Sequence, residues 1–167
     1  MRLTILTTGG TIDKTYDEFQ GSLRNAQSVL DVILDELRTP DLFVRHVDVM
    51  HKDSLDMTEE DREIIAKAVK DSLPKSDAVV ILHGTDTLEE TGELLCSKFC
   101  DLEIPVILTG AMRPYEFRDT DAMQNVTESL LASRLLSGGV YVVMHNRVLR
   151  FPGVTKDRQA LTFVEKS

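Results

Sequence analysis

Tryptophan is absent from this chain, aromatic residues make up only 5% of it, and there are just two cysteines. Basic residues are also scarce beside acidic ones: 19 Lys and Arg against 28 Asp and Glu give a formal net charge of −9. With no basic run to follow a phosphate backbone, nucleic acid is excluded as the expected partner. Two cysteines cannot frame a disulfide scaffold. Cys96 and Cys100 stand four apart on a predicted helix, but two thiolates do not complete a zinc site and no neighbouring His or Cys adds to them, so they read as small buried hydrophobes. The opening MRLTILTTGG holds one Arg and an apolar stretch too short for a signal peptide, and no later run has the length of a membrane span. The expectation is a cytoplasmic protein without membrane contact. What is present in quantity, 42% hydrophobic residues over 167 positions, suits one globular domain across residues 1–167.

The hydrophobic pattern alternates between short strands and helices. Strands are predicted near Leu3–Thr7, around Val44–Val49, and over AVVIL (78–82), PVILTG (105–110) and VYVVM (140–144). The last three are continuous apolar runs, as in strands covered on both faces. Between them lie helices starting near Ser28, after an N-cap at Thr58, around Leu88–Phe99, and over Asp121–Leu136. The segment DKTYDEFQG reads as polar and irregular, and nothing is assigned beyond Phe151. This alternation predicts a single doubly wound α/β domain, its sheet mainly parallel with helices on both faces.

Such sheets bind ligands beyond the carboxyl ends of their strands. The segments there are TTGGTIDK, HKDSLDM, HGTDT, TGAMRP and HNRVLRFPGVTK, rich in hydroxyl-bearing and small residues. The first poses a question, because ILTTGGTI (5–12) wraps three threonines around a double glycine where neither a core strand nor an ordinary turn needs them. It matches neither G-x-x-x-x-G-K-[ST] nor G-x-G-x-x-G, so a phosphate cradle fits poorly. A hydroxyl nucleophile fits better. Thr11 has Tyr16 five residues on as a proton relay, against the plain alternative of a turn threonine beside a surface tyrosine. Thr85 and Asp86, with Lys156 from a distant loop, form a set in which a lysine serves a hydroxyl and an acid holds the lysine. Asp86 as a helix N-cap and Lys156 as a surface lysine are the plain alternatives.

TTGGTI and HGTDT together resemble the two signature motifs of the bacterial-type L-asparaginase family, and GAMRP and GVTK resemble further blocks in the same order. The resemblance runs from Ile5 to Lys156. It implies that Thr11 attacks the side-chain amide of L-asparagine, aided by Tyr16 in a loop that closes over the substrate. It further implies that Thr85, Asp86 and Lys156 form a second hydrogen-bonded catalytic group. Asp86 would also hold the α-amino group, Ser54 the α-carboxylate, and the backbone of Ala111 the side-chain amide. The implied path is a β-aspartyl ester, loss of ammonia and hydrolysis to aspartate, with no cofactor and no metal. Backbone N–H groups in the glycine-rich loop or at Thr85 are candidates for the oxyanion donors.

The chain departs from the family pattern in three ways. It ends soon after Lys156, where the common architecture continues into a second domain, so a complete short form is the expectation and a homodimer through helix faces its assembly. Leu55 replaces a usual Gln, which predicts poor use of glutamine. Asp13 stands where a small residue is usual. Two other readings stay open: an amidase for another side-chain amide, glutamine or an asparaginyl group, and a non-catalytic amino-acid-binding module. His46, His51 and His145 show no ligand spacing, and His83 reads as structural support.

Overall fold

The computed structural model describes residues 1–25 and 27–166. Its first strand, β1 (Arg2–Gly9), lies within the sheet, and a 3-10 turn (Thr11–Asp13) leads from it into a hairpin of β2 (Lys14–Asp17) and β3 (Ser22–Asn25). Then come α1 (Leu30–Glu36), β4 (Phe43–Lys52), a second 3-10 turn (Ser54–Asp56), α2 (Glu59–Ser72) and β5 (Ala78–Leu82). The chain continues through α3 (Leu88–Lys98), β6 (Pro105–Thr109), α4 (Ala122–Leu135) and β7 (Gly139–Met144). It closes with β8 (Arg147–Arg150), β9 (Val154–Asp157) and β10 (Thr162–Glu165). The main sheet has the order β4-β1-β5-β6-β7-β8, parallel throughout except for β8, which runs antiparallel to β7.

The apolar runs explain this arrangement. Along β5, Val79 and Ile81 point to one face and pack with Ile65 and Val69 of α2 and Leu88 and Leu95 of α3. Val80 and Leu82 point to the other face, against Leu30 and Ile33 of α1 and Val126 of α4. A strand covered on both sides can afford no polar alternation, and each fully buried aliphatic side chain contributes roughly 1.5–3 kcal/mol. The helix after Thr58 starts where expected, with a reciprocal capping box between Thr58 and Asp61. The expected doubly wound, mainly parallel architecture is what the chain adopts.

Three details differ from expectation. The polar 14–25 stretch forms a hairpin, because its residues are largely exposed and leave no buried face to impose an apolar alternation. Past Phe151 there is a second hairpin of four-residue strands, too short for a hydrophobic period. Cys100 lies beyond the end of α3 at Lys98 and is exposed, while Cys96 is half-buried, so the pair is neither helical throughout nor buried. Among the described residues no helix is long and apolar enough to cross a membrane, and no group of three or more His, Cys, Asp or Glu is placed to hold a metal ion.

Candidate active site

After β1 the chain crosses to β4 on one side, and then returns to β5 on the other side of β1. The strand order therefore reverses between β1 and β5, and the loops leaving those two strands diverge from a crevice. The double glycine ends β1 there. Gly9 and Gly10 have φ of +91° and +89°, a region that excludes most side chains. A Cβ on Gly10 would lie 2.4 Å from the Gly84 Cα, and one on Gly84 would lie 2.6 Å from the Ser54 Cβ. One on Gly110 would meet the His83 carbonyl at 2.2 Å. The loops after β1, β4, β5 and β6 thus meet at glycine, on backbone at Gly10 and Gly110 and on the Ser54 side chain at Gly84, and glycine is required for that contact.

The three threonines of the first motif have different fates. The Thr7 hydroxyl is 2.9 Å from His46 Nε2, and Thr8 donates to the Leu82 carbonyl at 2.9 Å. Both are buried and spent on structure. Thr11, half-buried at the start of the 3-10 turn, makes no side-chain hydrogen bond to any described residue. Of the three hydroxyls it is the one that no described side chain or carbonyl engages.

Across the crevice, Lys156 Nζ donates to Thr85 Oγ1 at 2.8 Å and to Asp86 Oδ1 at 2.8 Å. The lysine side chain is only 9% exposed and Thr85 is buried, so the surface-lysine reading does not hold. The N-cap of α3 is Thr87, not Asp86, whose carboxylate instead meets Lys156 and, at 3.4 Å, Arg158. Glu89, in the first turn of α3, accepts the Lys156 backbone N–H at 2.6 Å and pins β9 beside it. Neither Arg158 nor Glu89 stood out in the sequence. The pair of acids opening a helix after HGTDT was the one available hint.

Ser54 and Ala111 are each 1% exposed. The Ser54 carbonyl accepts from the Thr87 hydroxyl at 2.8 Å, while its own Oγ has no partner among the described residues. A buried hydroxyl without a partner is rare enough to call for a ligand or a functional explanation. Next to it, burial works against the Asp53 carboxylate, but Lys14 at 2.5 Å and the Leu55 N–H outweigh it and hold the carboxyl below its usual range. Leu55 itself is exposed.

Tyr16 lies apart from this group. It is 60% exposed on β2, its hydroxyl lies 3.9 Å from where a Cβ on Gly21 would stand, and no hydrogen bond joins it to Thr11 among the described residues. Its N–H is held by Glu116 at 3.0 Å, and the Tyr115 N–H donates to Ile12, so the hairpin is tied to the loop after β6. Asp121 organises that loop. Burial raises its carboxyl, yet bonds from the Met112 N–H, His145, the Arg113 N–H and Asn125 hold it below the usual carboxylate range. Arg113 also pairs with Asp119, which braces the same turn.

His83 is structural. Fully buried, it is 2.7 Å from the Gly84 carbonyl through Nδ1 and 2.9 Å from the Thr91 hydroxyl through Nε2. Burial, with Arg62 nearby, lowers its pKa to about 4, so the neutral ring donates from Nδ1 and accepts at Nε2. The other histidines hold local partners: His46 with Asp31 at 3.6 Å, His51 with Asp48 at 2.8 Å, and His145 with Asp121 and Thr162.

The family described as asparaginase, N-terminal, matches residues 2–161. The chain is 33% identical to the L-asparaginase of Thermococcus kodakarensis over 93% of its own length and 48% of that protein's. It is 35% identical to the probable periplasmic L-asparaginase of Haemophilus influenzae, over 92% of this chain and 46% of the other. The solved structure of the thermostable L-asparaginase from Thermococcus kodakarensis superposes with a TM-score of 0.88 at 32% identity, covering 99% of this chain and 51% of that one. The chain spans about half the length of the curated relatives it matches. With the motifs, the fold and these likenesses in agreement, the chain belongs to the asparaginase family and corresponds to its N-terminal portion.

Proposed function

We propose that this protein hydrolyses the side-chain amide of L-asparagine to L-aspartate and ammonia, through an acyl-enzyme and with no cofactor. The observation that carries this reading is the part-buried Lys156–Thr85–Asp86 group, bonded beside loops that meet at glycine, together with a Thr11 hydroxyl that has no partner among the described residues. The names of the L-asparaginases that the chain resembles favour asparagine as the amide. In this mechanism Thr11 Oγ attacks the amide carbon and its proton passes to the surrounding network through Tyr16, once the hairpin has closed. The C–N bond then breaks as the leaving nitrogen gains a proton, releasing ammonia. Water cleaves the ester, aspartate leaves, and Thr11 recovers its proton. The Lys156 ammonium, fixed by Asp86, orders the Thr85 hydroxyl that relays protons. Ser54 binds the α-carboxylate through its free Oγ, Asp86 the α-amino group, and the backbone of Ala111 the amide. The same reading includes one α/β domain working in the cytoplasm, consistent with two free thiols, and a homodimer through helix faces such as that of exposed Leu131 and Leu135.

Ammonia release from L-asparagine, with L-glutamine and an N-blocked asparagine in parallel, tests the proposal. Release from asparagine that falls by about three orders of magnitude in both Thr11→Ala and Thr85→Ala, with slower glutamine turnover, supports it. Preference for glutamine or the blocked amide would shift the reading to another amidase. Saturable aspartate binding with no release from any amide would replace catalysis by a binding module.

A further inference from the structure

The hairpin that carries Tyr16 begins and ends at one buried acid. Asp13 closes the 3-10 turn that starts with Thr11 and directly precedes β2. Its side chain is 0% exposed. Oδ1 accepts the Val29 N–H at 2.9 Å and the Ser28 hydroxyl at 3.2 Å, both from the segment between β3 and α1. Ser28 Oγ in turn accepts the Leu30 N–H at 3.2 Å, which carries the connection into α1. Sixteen positions separate Asp13 from Val29, and among the described residues the intervening hairpin is otherwise held to the rest of the fold by exposed contacts at Glu116 and by the half-buried Lys14–Asp53 pair.

This carboxyl is costly to keep. Oδ2 has no partner among the described residues, and burial raises the group's pKa against the bonds from Val29 and Ser28 and against His51 and His46. An alanine would avoid that cost entirely, so the acid's return has to lie in what it fastens. We propose that Asp13 is a positioning residue: by bonding Ser28 and Val29 it clasps the exit of the β2–β3 hairpin to the Thr11 turn at its entry, and so sets where Tyr16 stands relative to Thr11. The clasp joins both ends of the element that must close, whereas Glu116 and Lys14 each tether one point of it. For catalysis the inference rests on the proposed amide hydrolysis. For the fastening itself it rests only on the bonds described.

The two claims separate in the experiment. Amide hydrogen exchange of residues 14–25, referenced to α4 in the same protein, reads the clasp without any activity. Asp13→Ala is expected to speed exchange there by about tenfold or more and Asp13→Asn, which keeps an acceptor for Val29 and Ser28, by less than about twofold. If Asp13→Ala does not fold, Ser28→Ala combined with Val29→Pro removes both donors from the other end and is expected to speed exchange alike. Equal exchange in parent and variants overturns the clasp, and so does an Asn variant as open as the Ala variant. With L-asparagine, Asp13→Ala is expected to lower kcat about tenfold or more with little change in KM, and Asp13→Asn is expected to restore it. In a Tyr16→Phe background the same Ala substitution is expected to cost less than about twofold, whereas fully additive losses overturn a role exercised through Tyr16. If the parent releases no ammonia from any amide, the proposed function fails while the exchange result still judges the clasp.

Discussion

The two halves of the crevice are built on different principles. On one side Thr85, Asp86 and Lys156 are locked by direct hydrogen bonds, by Glu89 beneath the lysine's backbone, and by a buried histidine under the loop. On the other side the Thr11 hydroxyl has no partner among the described residues, and Tyr16 stands largely in solvent on a small separate hairpin. One half is assembled by folding, and on the proposed mechanism the other is completed by closure of the hairpin. Preorganised charge favours the first, since a group already in place needs no reorganisation during reaction. Entry and exit of substrate favour the second, since a closed hairpin would bar both.

Substitutions that break this contrast should scale with how much of the locked half they remove. Lys156→Ala deletes the donor to two partners at once and is expected to lower kcat/KM for asparagine by about a thousandfold or more with the fold intact, read by ammonia release and circular dichroism. Gly10→Ala should damage both halves, because the new methyl would enter the 2.4 Å gap to Gly84 at a φ of +89°. A loss of about 3 kcal/mol or more is expected in urea unfolding, together with activity.

His83 sharpens the contrast through pH. Its folded pKa is lowered to about 4 from 6.5, so as pH falls below 6.5 the unfolded chain takes up the proton first and stability declines until about pH 4. That single group accounts for about 3 kcal/mol across the window and for none above it. His83→Gln should remove this part of the acid slope while lowering stability at neutral pH, as followed by urea midpoints between pH 4 and 8. Tyr16→Phe tests the hairpin half and should have the smallest effect: about tenfold to a hundredfold in kcat, and an unchanged melting temperature because the hydroxyl bonds none of the described residues.

The locked half and its scaffold were legible in the sequence because their signals are strong and local. AVVIL and PVILTG are short apolar runs, as expected of doubly covered strands, and HGTDT directly follows the first, which placed Thr85 and Asp86 at a strand end. Lys156 could be linked to them only by the chemical logic of a lysine serving a hydroxyl and by a resemblance to a known family, since 70 positions separate it from Asp86 and no periodicity spans such a distance. The hairpin half was mostly illegible. An exposed hairpin has no buried face to write an alternating pattern, so β2 and β3 read as irregular. Asp13 showed only as an unusual residue after TGGTI, because its partners Ser28 and Val29 carry no signature of what they bond.

The short antiparallel strand β8 has a consequence for self-association. A sheet edge offers unpaired backbone groups to any other strand, and proteins protect such edges with charge and brevity. Here β8 is four residues long and begins and ends with arginine, while β4 at the opposite edge carries Arg45, His46, Asp48, His51 and Lys52. A second copy meeting β8 would bring arginines together, and one meeting β4 would have to match a margin of mixed charge. The sheet that builds the crevice is therefore guarded at both of its margins against growing into a larger one.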